Sequence, residues 1–269
     1  MLDKLGIIAG NGILPVEIAN IYKQQGGECF FAAIKGETDL ELIKDYPYES
    51  FTLGQAGNIL KYFTDLDVKK IILIGGVNRP NLSNIKVDLK GSILLSKILK
   101  QRFLGDDNIL RIIADFIESH GFAVISPQEI IEHNSYELSP TTTLSKQDVT
   151  DIDIGKKILT RLGSADVGQA IIVCNGHVLG IEAAEGTDNL IKRCASLRKY
   201  ESGGVLVKMT KSSQDRRLDL PTIGPDTITN LNSCCFNGAA IDNKVLIATP
   251  HETIELASKY KVFITQILS

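Results

Sequence analysis

Oxygen-bearing side chains are concentrated in a segment that follows an apolar run. Glu182, Glu185, Thr187 and Asp188 surround Gly186 at a predicted strand-to-helix junction. Carboxylate and hydroxyl oxygens are the ligands that Mg²⁺ prefers, so these residues can form a metal site. The alternative, which these residues taken alone favour, is that Thr187 or Asp188 caps the N-terminus of the following helix.

A second concentration of charge lies in residues 215–225, which read DRRLDLPTIGP. Asp215, Arg216, Arg217 and Asp219 fall within five positions, directly before a turn that begins with Leu-Pro-Thr. As an exposed salt-bridge cluster these side chains would stabilise the fold very little. Alternatively, the arginines bind a phosphate group or keep the two aspartates ionised.

Two lysines, Lys208 and Lys211, come just before this stretch. Either can neutralise a phosphate, and either can equally be a solvated lysine at the end of a strand. The four histidines are scattered without the spacing of metal ligands, so the sequence does not predict a histidine-based catalytic triad.

Glycine loops follow two predicted strands. The first loop reads Gly10-Asn11-Gly12-Ile13-Leu14. Backbone N–H groups of such a loop can approach phosphate oxygens at the positive end of the following helix, and a plain tight turn explains the glycines equally well. Pro15 stands where the third glycine of a dinucleotide-binding loop would be, and no acidic residue is placed to bind a ribose.

The second glycine loop, residues 75–80, reads GGVNRP and follows the most apolar strand. The carboxyl edge of a parallel sheet is where ligands of such folds bind, so Asn78 and Arg79 are candidates for substrate contact. Arginine pairs with phosphate through two parallel hydrogen bonds. The alternative is a surface arginine before a turn proline.

Alternating apolar runs and helical periodicity predict an α/β protein of two domains. The first is a Rossmann-like, parallel-sheet domain over residues 1–133, followed by a Ser- and Thr-rich linker over 134–150 and a mixed α/β catalytic domain over 151–269. The predicted strands of the first domain are 5–9, 29–34, 69–75 and 122–126, and its predicted helices are 14–25, 53–65, 91–104 and 106–120.

The second domain is predicted to begin with a helix over 152–162. Strands 168–174 and 177–183 follow, joined through Asn175-Gly176, a pair that suits a type I′ hairpin turn. A helix over 188–197, a strand over 204–209 and a helix from Gly224 come next. A small hairpin around Asp242 and Asn243, a helix and a strand complete the prediction.

The composition excludes several classes of protein. The chain has 269 residues, a net charge of −3 and no block of Lys or Arg, which argues against nucleic-acid binding. Five cysteines without a C-x-x-C pair indicate a reduced, cytoplasmic compartment and apolar packing for all five. No signal-peptide pattern and no apolar run of about 18 residues is present, so we expect neither export nor a membrane span.

Five segments taken together identify a family resemblance. They are LGIIAGNGILP (5–15), GGVNRP (75–80), DVGQAIIV (166–173), EGTD (185–188) and DLPTIG (219–224). In this order and spacing they resemble the metal-dependent, two-domain UDP-2,3-diacylglucosamine pyrophosphatases of lipid A biosynthesis. The matches run over nearly the whole chain; EGTD and DLPTIG are specific when they occur together, whereas the glycine loop alone is not.

The resemblance implies an activity and a location. The family splits UDP-2,3-diacylglucosamine into UMP and 2,3-diacylglucosamine 1-phosphate, using Mg²⁺ and attack by water on the phosphorus nearer uridine. It implies a peripheral enzyme at the cytoplasmic face of the inner membrane, acting on a lipid-linked nucleotide-sugar, and we expect a homodimer. The family's catalytic aspartate falls on Asp219.

The resemblance also assigns roles to the other candidate residues. Asp219 and Asp188 are expected to be catalytic, and Asp219, Asp188 and Glu185 to hold Mg²⁺. The expected substrate-binding residues are Gly10, Asn11, Gly12, Ile13, Leu14, Asn78, Arg79, Thr187, Lys208, Lys211, Arg217 and Thr222.

One predicted helix has a surface suited to a lipid. Residues 91–104 read GSILLSKILKQRFL, with Lys97, Lys100 and Arg102 among apolar residues. A basic amphipathic helix of this kind can lie on an anionic membrane surface. The alternative is that its apolar stripe packs on its own sheet.

Two other functions compete with the pyrophosphatase. A nicotinamide-dependent oxidoreductase is disfavoured by the missing third glycine and the missing ribose-binding acid. A non-catalytic regulator that binds a nucleotide-sugar or a lipid would tolerate the loss of Asp219.

Overall fold

The computed structural model describes residues 2–78, 85–100, 106–131, 142–163, 167–211, 215, 217–218 and 220–267. The chain divides into two compact units. Unit 1 comprises Met1–Ser135 and Asp215–Asp219, and unit 2 comprises Tyr136–Gln214 and Leu220–Ser269. A five-residue stretch late in the chain therefore belongs to unit 1, which its sequence did not indicate.

Unit 1 contains a parallel five-stranded sheet in the order β3-β2-β1-β4-β5. This is the start of the 3-2-1-4-5-6 order of doubly wound sheets, in which the chain reverses direction beside β1. Its strands are β1 (Leu5–Ala9), β2 (Cys29–Ile34), β3 (Tyr48–Phe51), β4 (Lys70–Ile74) and β5 (Ala123–Val124). Its helices are α1 (Leu14–Gln24), α2 (Leu40–Ile43), α3 (Ala56–Asp65), α4 (Leu89–Lys100), α5 (Asp106–Glu118) and α6 (Pro127–Ile131).

Apolar side chains cover both faces of this sheet, as a parallel sheet requires. On β1, Leu5, Ile7 and Ala9 point into one buried cluster, which includes Ile18 of α1 and Ile130 of α6. Residues of α3, α4 and α5 pack in the cluster on the other face. The predicted α/β class with a parallel first sheet is confirmed.

Unit 2 has a mixed five-stranded sheet in the order β12-β10-β8-β6-β7. Strands β12, β10 and β8 are parallel to one another, β6 is antiparallel to β8, and β7 is antiparallel to β6. The strands of unit 2 are β6 (Ala170–Cys174), β7 (His177–Ile181), β8 (Val205–Lys208), β9 (Thr222–Ile223), β10 (Gly238–Ile241), β11 (Leu246–Ile247) and β12 (Phe263–Gln266). Its helices are α7 (Lys146–Gly163), α8 (Thr187–Ala195), α9 (Pro225–Ser233) and α10 (Pro250–Tyr260).

The helices of unit 2 are divided unequally between the faces of its sheet. Helix α7 covers one face through Ile152 and Leu159. Helices α8, α9 and α10 contribute to the cluster on the other face. The Asn175-Gly176 turn between β6 and β7 has positive φ at both residues, 49° and 80°, which confirms the predicted hairpin.

Helix α7 begins at Lys146, well before the predicted start at residue 152. Ser145 and Asp148 explain the early start, because they form a reciprocal cap. The Asp148 N–H donates to Ser145 Oγ at 3.1 Å, and the Ser145 N–H donates to Asp148 Oδ2 at 2.8 Å. The predicted end of the linker at residue 150 therefore falls inside a helix. The S-x-x-D pattern of residues 145–148 is the sequence signal that indicates the earlier helix start.

The predicted hairpin around Asp242 and Asn243 is wrong. Strand β10 pairs in parallel with β8 and β12, whereas β11 leaves that sheet and pairs with β9. Asp242 makes the turn instead, since its Oδ1 accepts from the N–H groups of Lys244 and Val245. The prediction of apolar packing for all five cysteines is also wrong, because Cys235 is exposed. Within the described ranges, no helix is both long enough and apolar enough to cross a membrane.

Candidate active site

Three neighbouring strands of unit 2 bring polar groups to one edge of its sheet. Lys208 is the last residue of β8 and lies opposite Ala170, the first residue of β6. Ala170 O in turn accepts a hydrogen bond from the Glu182 N–H, one residue beyond β7, at 2.8 Å. Lys208 and Glu182 are therefore in register, two strands apart, although 26 positions separate them in the chain.

A chain of hydrogen bonds joins these two side chains through α8. Lys208 Nζ donates to Thr187 Oγ1 at 2.7 Å, and Thr187 Oγ1 donates to Glu182 Oε1 at 2.7 Å. Lys208 Nζ also donates to the carbonyl oxygen of Thr222 at 2.7 Å. Lys208 is only 6% exposed, so these contacts hold a buried ammonium group at the sheet edge.

Helix α8 begins at Thr187, and its N-cap is Gly186, which makes no side-chain cap hydrogen bond. The expectation that Thr187 or Asp188 caps this helix is therefore wrong. The physical reason is that the Thr187 hydroxyl is engaged with Glu182 and Lys208. Gly186 has φ of 76°, a conformation that glycine adopts without strain.

The two carboxylates of the EGTD segment differ in their partners. Glu185 Oε1 accepts from Arg193 Nη2 at 2.6 Å, and Glu185 Oε2 accepts from the Ala183 N–H at 3.1 Å. The hydrogen bond from Arg193 lowers the pKa of Glu185 below its ordinary value. Asp188 Oδ1, in contrast, is buried and has no hydrogen-bond partner among the described residues.

These differences bear on the fit of a metal ion. No cluster of three or more His, Cys, Asp or Glu side chains is arranged for a metal in the part of the chain that the structure describes. Asp188 fits a divalent cation, because a buried carboxylate oxygen without a donor requires a positive partner. Both oxygens of Glu185 already have protein partners, so Glu185 fits only if Arg193 is displaced. Asp219, the third expected ligand, lies outside the described residues.

The glycine loops of unit 1 contact each other through their backbones. The Asn11 N–H donates to Gly76 O at 2.7 Å, and the Gly76 N–H donates to Asn11 O at 2.9 Å. A Cβ atom on Gly10 would lie 2.4 Å from Gly76 O, and one on Gly75 would lie 2.8 Å from Asn11 O. Close backbone approach thus explains Gly10 and Gly75 without any ligand.

The rest of the first loop leads directly into α1. Gly12 has φ of 98°, and a Cβ atom there would have no neighbour within 4 Å. Helix α1 has Ile13 at its N-cap, with no side-chain cap hydrogen bond, and Pro15 in its first turn. The first N–H groups of a helix have no acceptor within it, so Gly12, Ile13 and Leu14 are suited to an anion.

Asn78 lies near the same sheet edge and is paired with an acid. Its backbone N–H and its side-chain Nδ2 both contact Glu37 Oε2 at 3.1 Å. Arg79, the next residue, lies outside the described residues. Glu37 is a neighbour of the predicted site that sequence reasoning missed, and nothing in its local pattern indicated it.

Arg217 is held by two carboxylates of unit 1. Its Nη2 lies 2.7 Å from Asp215 Oδ2, and its Nη1 lies 2.6 Å from Glu118 Oε1 at the end of α5. The hydrogen bond from Arg217 lowers the pKa of Asp215, and these carboxylates raise the pKa of Arg217. Leu218 is buried with the α3, α4 and α5 cluster. We name Asp215, Arg217, Leu218 and Glu118 the Arg217 cluster.

The remaining predicted site residues are placed as follows. Lys211 is half-buried, three positions beyond the end of β8. Thr222 Oγ1 donates to Leu220 O at 3.1 Å, while its carbonyl accepts from Lys208. Arg216, like Asp219, lies outside the described residues. Glu118 contacts Arg217 across 99 positions of sequence, a separation that local pattern reasoning cannot bridge.

Comparison with known families accounts for almost all of this chain. Residues 4–134 match the model of the LpxI N-terminal domain, and residues 138–265 match that of the LpxI C-terminal domain. The chain belongs to the LpxI family. The family resemblance drawn from the five sequence segments is therefore confirmed.

A curated relative supports the same conclusion. UDP-2,3-diacylglucosamine pyrophosphatase LpxI of Caulobacter vibrioides is 33% identical over 235 residues, which cover 84% of this chain and 84% of that protein. Among solved structures, CobK precorrin-6A reductase matches at 10% identity and a TM-score of 0.32, over 99% of this chain and 87% of that one. That likeness is too weak to bear on fold or activity.

Proposed function

We propose that this LpxI-family chain hydrolyses the pyrophosphate of UDP-2,3-diacylglucosamine to UMP and 2,3-diacylglucosamine 1-phosphate in lipid A biosynthesis. The observation that carries the proposal is the match of both family domains, together with 33% identity to a relative that bears this activity in its name. The polar sheet edge of unit 2 supports it, because it places a buried lysine, a threonine and the carboxylate of Glu182 together.

The chemical obstacle is charge. A pyrophosphate diester carries anionic oxygens that repel a nucleophile, so a catalyst must neutralise them and orient a water molecule. We assign Lys208 to neutralise a phosphate oxygen and to hold Thr187 and the Thr222 carbonyl in place. Lys211, Arg79 and Arg217 are assigned to further substrate oxygens. For Arg217 this requires exchange of a carboxylate partner for the substrate.

Mg²⁺ is part of the proposal. A bound ion would neutralise phosphate charge and lower the pKa of a coordinated water molecule. We assign Asp188 and Asp219 to hold it, and the buried, unpartnered Oδ1 of Asp188 supports this assignment. Glu185 would join them only by releasing Arg193, which contacts it at 2.6 Å.

In the proposed reaction, a water oxygen attacks the phosphorus nearer uridine. Asp219 accepts the proton of that water, the bond from phosphorus to the bridging oxygen breaks, and the lipid phosphate leaves with the bonding electrons. The N–H groups of Gly12, Ile13 and Leu14 hold part of the UDP group at the start of α1. Asn78 orients the same group from the neighbouring loop.

Hydrolysis in ¹⁸O-labelled water tests the reaction and its direction together. Purified protein is incubated with UDP-2,3-diacylglucosamine, with Mg²⁺ or with EDTA, and both products are analysed by mass spectrometry. We expect label in UMP and turnover only with Mg²⁺. Label in the lipid phosphate would contradict attack at the uridine side, turnover in EDTA would contradict the metal, and absence of both products would exclude the function.

Asp219→Asn tests the catalytic carboxylate. We expect at least ~10²-fold lower kcat, because loss of a general acid or base costs about this much. Asp226→Asn, an exposed aspartate in the first turn of α9, is the matched control. Asp219→Asn activity within about threefold of the parent would refute the assignment, and would favour a non-catalytic regulator if Asp219→Asn retained binding.

The proposal includes a place at the cytoplasmic face of the inner membrane and a homodimeric state. A lipid-linked substrate resides in the bilayer, so the enzyme must reach it from the surface. Sedimentation velocity of the detergent-free protein tests the dimer, and a single species at the monomer mass would contradict it.

A further inference from the structure

Helix α4 exposes a second apolar stripe besides the one that packs in the core. Gly91, Leu94 and Ile98 face inward. On the outer side Leu89 is 82% exposed, Ile93 is 50% exposed and Leu99 is 44% exposed. One helix thus has apolar residues on two faces, and only one of them contributes to the core.

A groove of about 350 Å³ runs along the exposed side of α4. It is lined by Val87, Ser92, Leu95, Ser96, Leu99 and Lys100. We name these residues, together with the exposed Leu89 and Ile93 of the same helix, the α4 surface. An apolar patch of this kind, with small polar residues between the leucines, is suited to a partner rather than to water.

The charge around the α4 surface selects the kind of partner. Residues 89–100 include three basic residues, Lys90, Lys97 and Lys100, and no acidic residue, although the chain as a whole carries a charge of −3. The nearest acid in sequence, Asp88, is engaged by two backbone N–H groups. Its Oδ2 accepts from the Asn58 N–H at 2.9 Å and its Oδ1 from the Gly91 N–H at 2.6 Å.

Those two N–H groups lie in the first turns of α3 and α4, so the positive ends of both helices offset the charge of Asp88. The surface therefore combines exposed leucine and isoleucine with basic side chains of a single sign. Helices with this combination lie in the interface of an anionic bilayer, with the apolar residues among the acyl chains and the lysines at the head groups.

We propose that the α4 surface docks unit 1 onto an anionic lipid bilayer. Leu89 and Ile93, one helical turn apart, enter the interface, while Lys90 and Lys97 meet the head groups from the flank and Lys100 extends to them from the end of the helix. This contact brings the protein to a membrane independently of its substrate site. The inference rests on the membrane location included in the proposed function, to which it assigns a surface, and its vesicle test does not depend on the proposed hydrolysis.

Vesicle co-sedimentation of the full chain tests the proposal. Vesicles of phosphatidylglycerol mixed with phosphatidylethanolamine are compared with neutral phosphatidylcholine vesicles, without substrate. We expect binding to the anionic vesicles that weakens as salt is added, because screening acts on exposed charges. No binding to the anionic vesicles at low salt, or equal binding to neutral vesicles, would overturn the proposal.

Two double variants locate the contact. Lys90→Glu with Lys100→Glu is expected to lower the partition coefficient by ~100-fold, since each basic residue near an anionic surface contributes several-fold. Leu89→Ser with Ile93→Ser removes the apolar contact and is expected to lower it by at least ~10-fold. The core residues Leu94 and Ile98 are unchanged in both variants, and thermal melting verifies that each variant folds.

Matched controls are available elsewhere on the surface. Lys157→Glu with Lys259→Glu reverses two exposed lysines of unit 2, and Leu40→Ser with Leu42→Ser removes two exposed leucines of α2. These controls are expected to bind vesicles like the parent. If both control and α4 variants lose binding equally, the surface is not α4 and the proposal fails.

A second copy of the chain is the competing occupant. If Leu89→Ser with Ile93→Ser converts a dimer to a monomer in sedimentation velocity while vesicle binding stays at the parent level, the α4 surface joins two copies and the membrane proposal is overturned. Turnover of detergent-dispersed substrate provides the separate readout. We expect the α4 variants to retain it, so a loss of vesicle binding is distinguished from a failure of the hydrolase assignment.

Discussion

The carboxyl edges of the two sheets differ in the groups that form them, which are backbone atoms in unit 1 and side chains in unit 2. In unit 1, the edge is made of backbone, because Asn11 and Gly76 exchange main-chain hydrogen bonds and Gly10 approaches Gly76 too closely for a side chain. In unit 2, the edge is made of side chains, with Lys208, Thr187 and Glu182 in one hydrogen-bonded chain.

This difference has a physical consequence for mutation. At Gly10 and Gly75 of the backbone edge an added Cβ would meet backbone atoms, so substitutions at these two glycines change the fold first and binding second. A side-chain edge tolerates isosteric replacement but loses charge and hydrogen bonds, so substitutions there change chemistry first. Stability and turnover should therefore separate between the two units.

The largest effect is expected for Lys208→Met in unit 2. Methionine has a similar length, but it removes the donor to Thr187 Oγ1 and to the Thr222 carbonyl. Loss of one preorganised electrostatic group costs ~10²-fold or more in kcat. Steady-state kinetics measures this change, with Lys192→Met on the exposed side of α8 as the control. Turnover within about threefold of the parent would show that the unit 2 edge is structural.

The next effect is expected for Gly10→Ala in unit 1. The added Cβ would lie 2.4 Å from Gly76 O, a backbone atom, so we expect unfolding free energy to fall by ~1–3 kcal/mol. Gly12→Ala is the matched comparison: it has open space and only the positive φ, so we expect a loss of about 1 kcal/mol. Urea denaturation measures both, and equal losses would contradict the close-approach explanation.

A smaller effect is expected for Glu118→Gln in the Arg217 cluster. Glu118 holds Arg217, two residues before Asp219, so its loss should disturb the segment that carries the residue we propose as catalytic. We expect kcat to fall several-fold with little change in KM, since an exposed ion pair contributes at most about 1 kcal/mol.

Glu118→Asp should retain more turnover than Glu118→Gln, because it keeps a carboxylate for Arg217. Asp115→Asn, one turn earlier on α5, should have no effect. A rise in KM alone would show that Glu118 acts through substrate binding rather than through positioning.

The smallest effect is expected on stability at alkaline pH, through one buried thiol in each unit. Burial raises the pKa of Cys29 from 9.0 to about 12 and that of Cys194 from 9.0 to about 11. A raised pKa in the folded state means that stability is full below about pH 9 and is lost as the pH rises toward these values.

Urea denaturation from about pH 8 to about pH 11 should therefore show declining stability. Cys194→Ala should remove part of the decline seen in unit 2, and Cys29→Ala part of that in unit 1. A pH-independent stability in the parent would contradict these pKa directions.

Local pattern was sufficient for elements whose signals lie within a few residues. A continuous apolar run identified β2, and helical spacing with an early proline identified α1. The Asn175-Gly176 pair identified its hairpin, because positive φ at both positions is a property of the residues themselves.

Pattern failed where pairing depended on distant residues. Strand β3 was missed because it is an edge strand with mostly exposed side chains, and only its pairing with β2 makes it a strand. The loop at Asp242 looked like a hairpin, yet β11 finds its partner in β9. The stretch Asp215–Asp219 belongs to unit 1 through Leu218 and Arg217, whose partners lie about a hundred positions away.

The sequence by itself determined the α/β class and the family, because apolar periodicity and motif order are local and linear properties. It also determined the candidate residues Asp188, Thr187 and Lys208. Only the tertiary structure decided how they are arranged. Two hydrogen bonds through Thr187 of α8 join Lys208 of β8 to Glu182, which follows β7, and Leu218 is buried in the cluster that includes residues of α3, α4 and α5. Such contacts depend on which surfaces meet after folding, and no spacing along the chain encodes them.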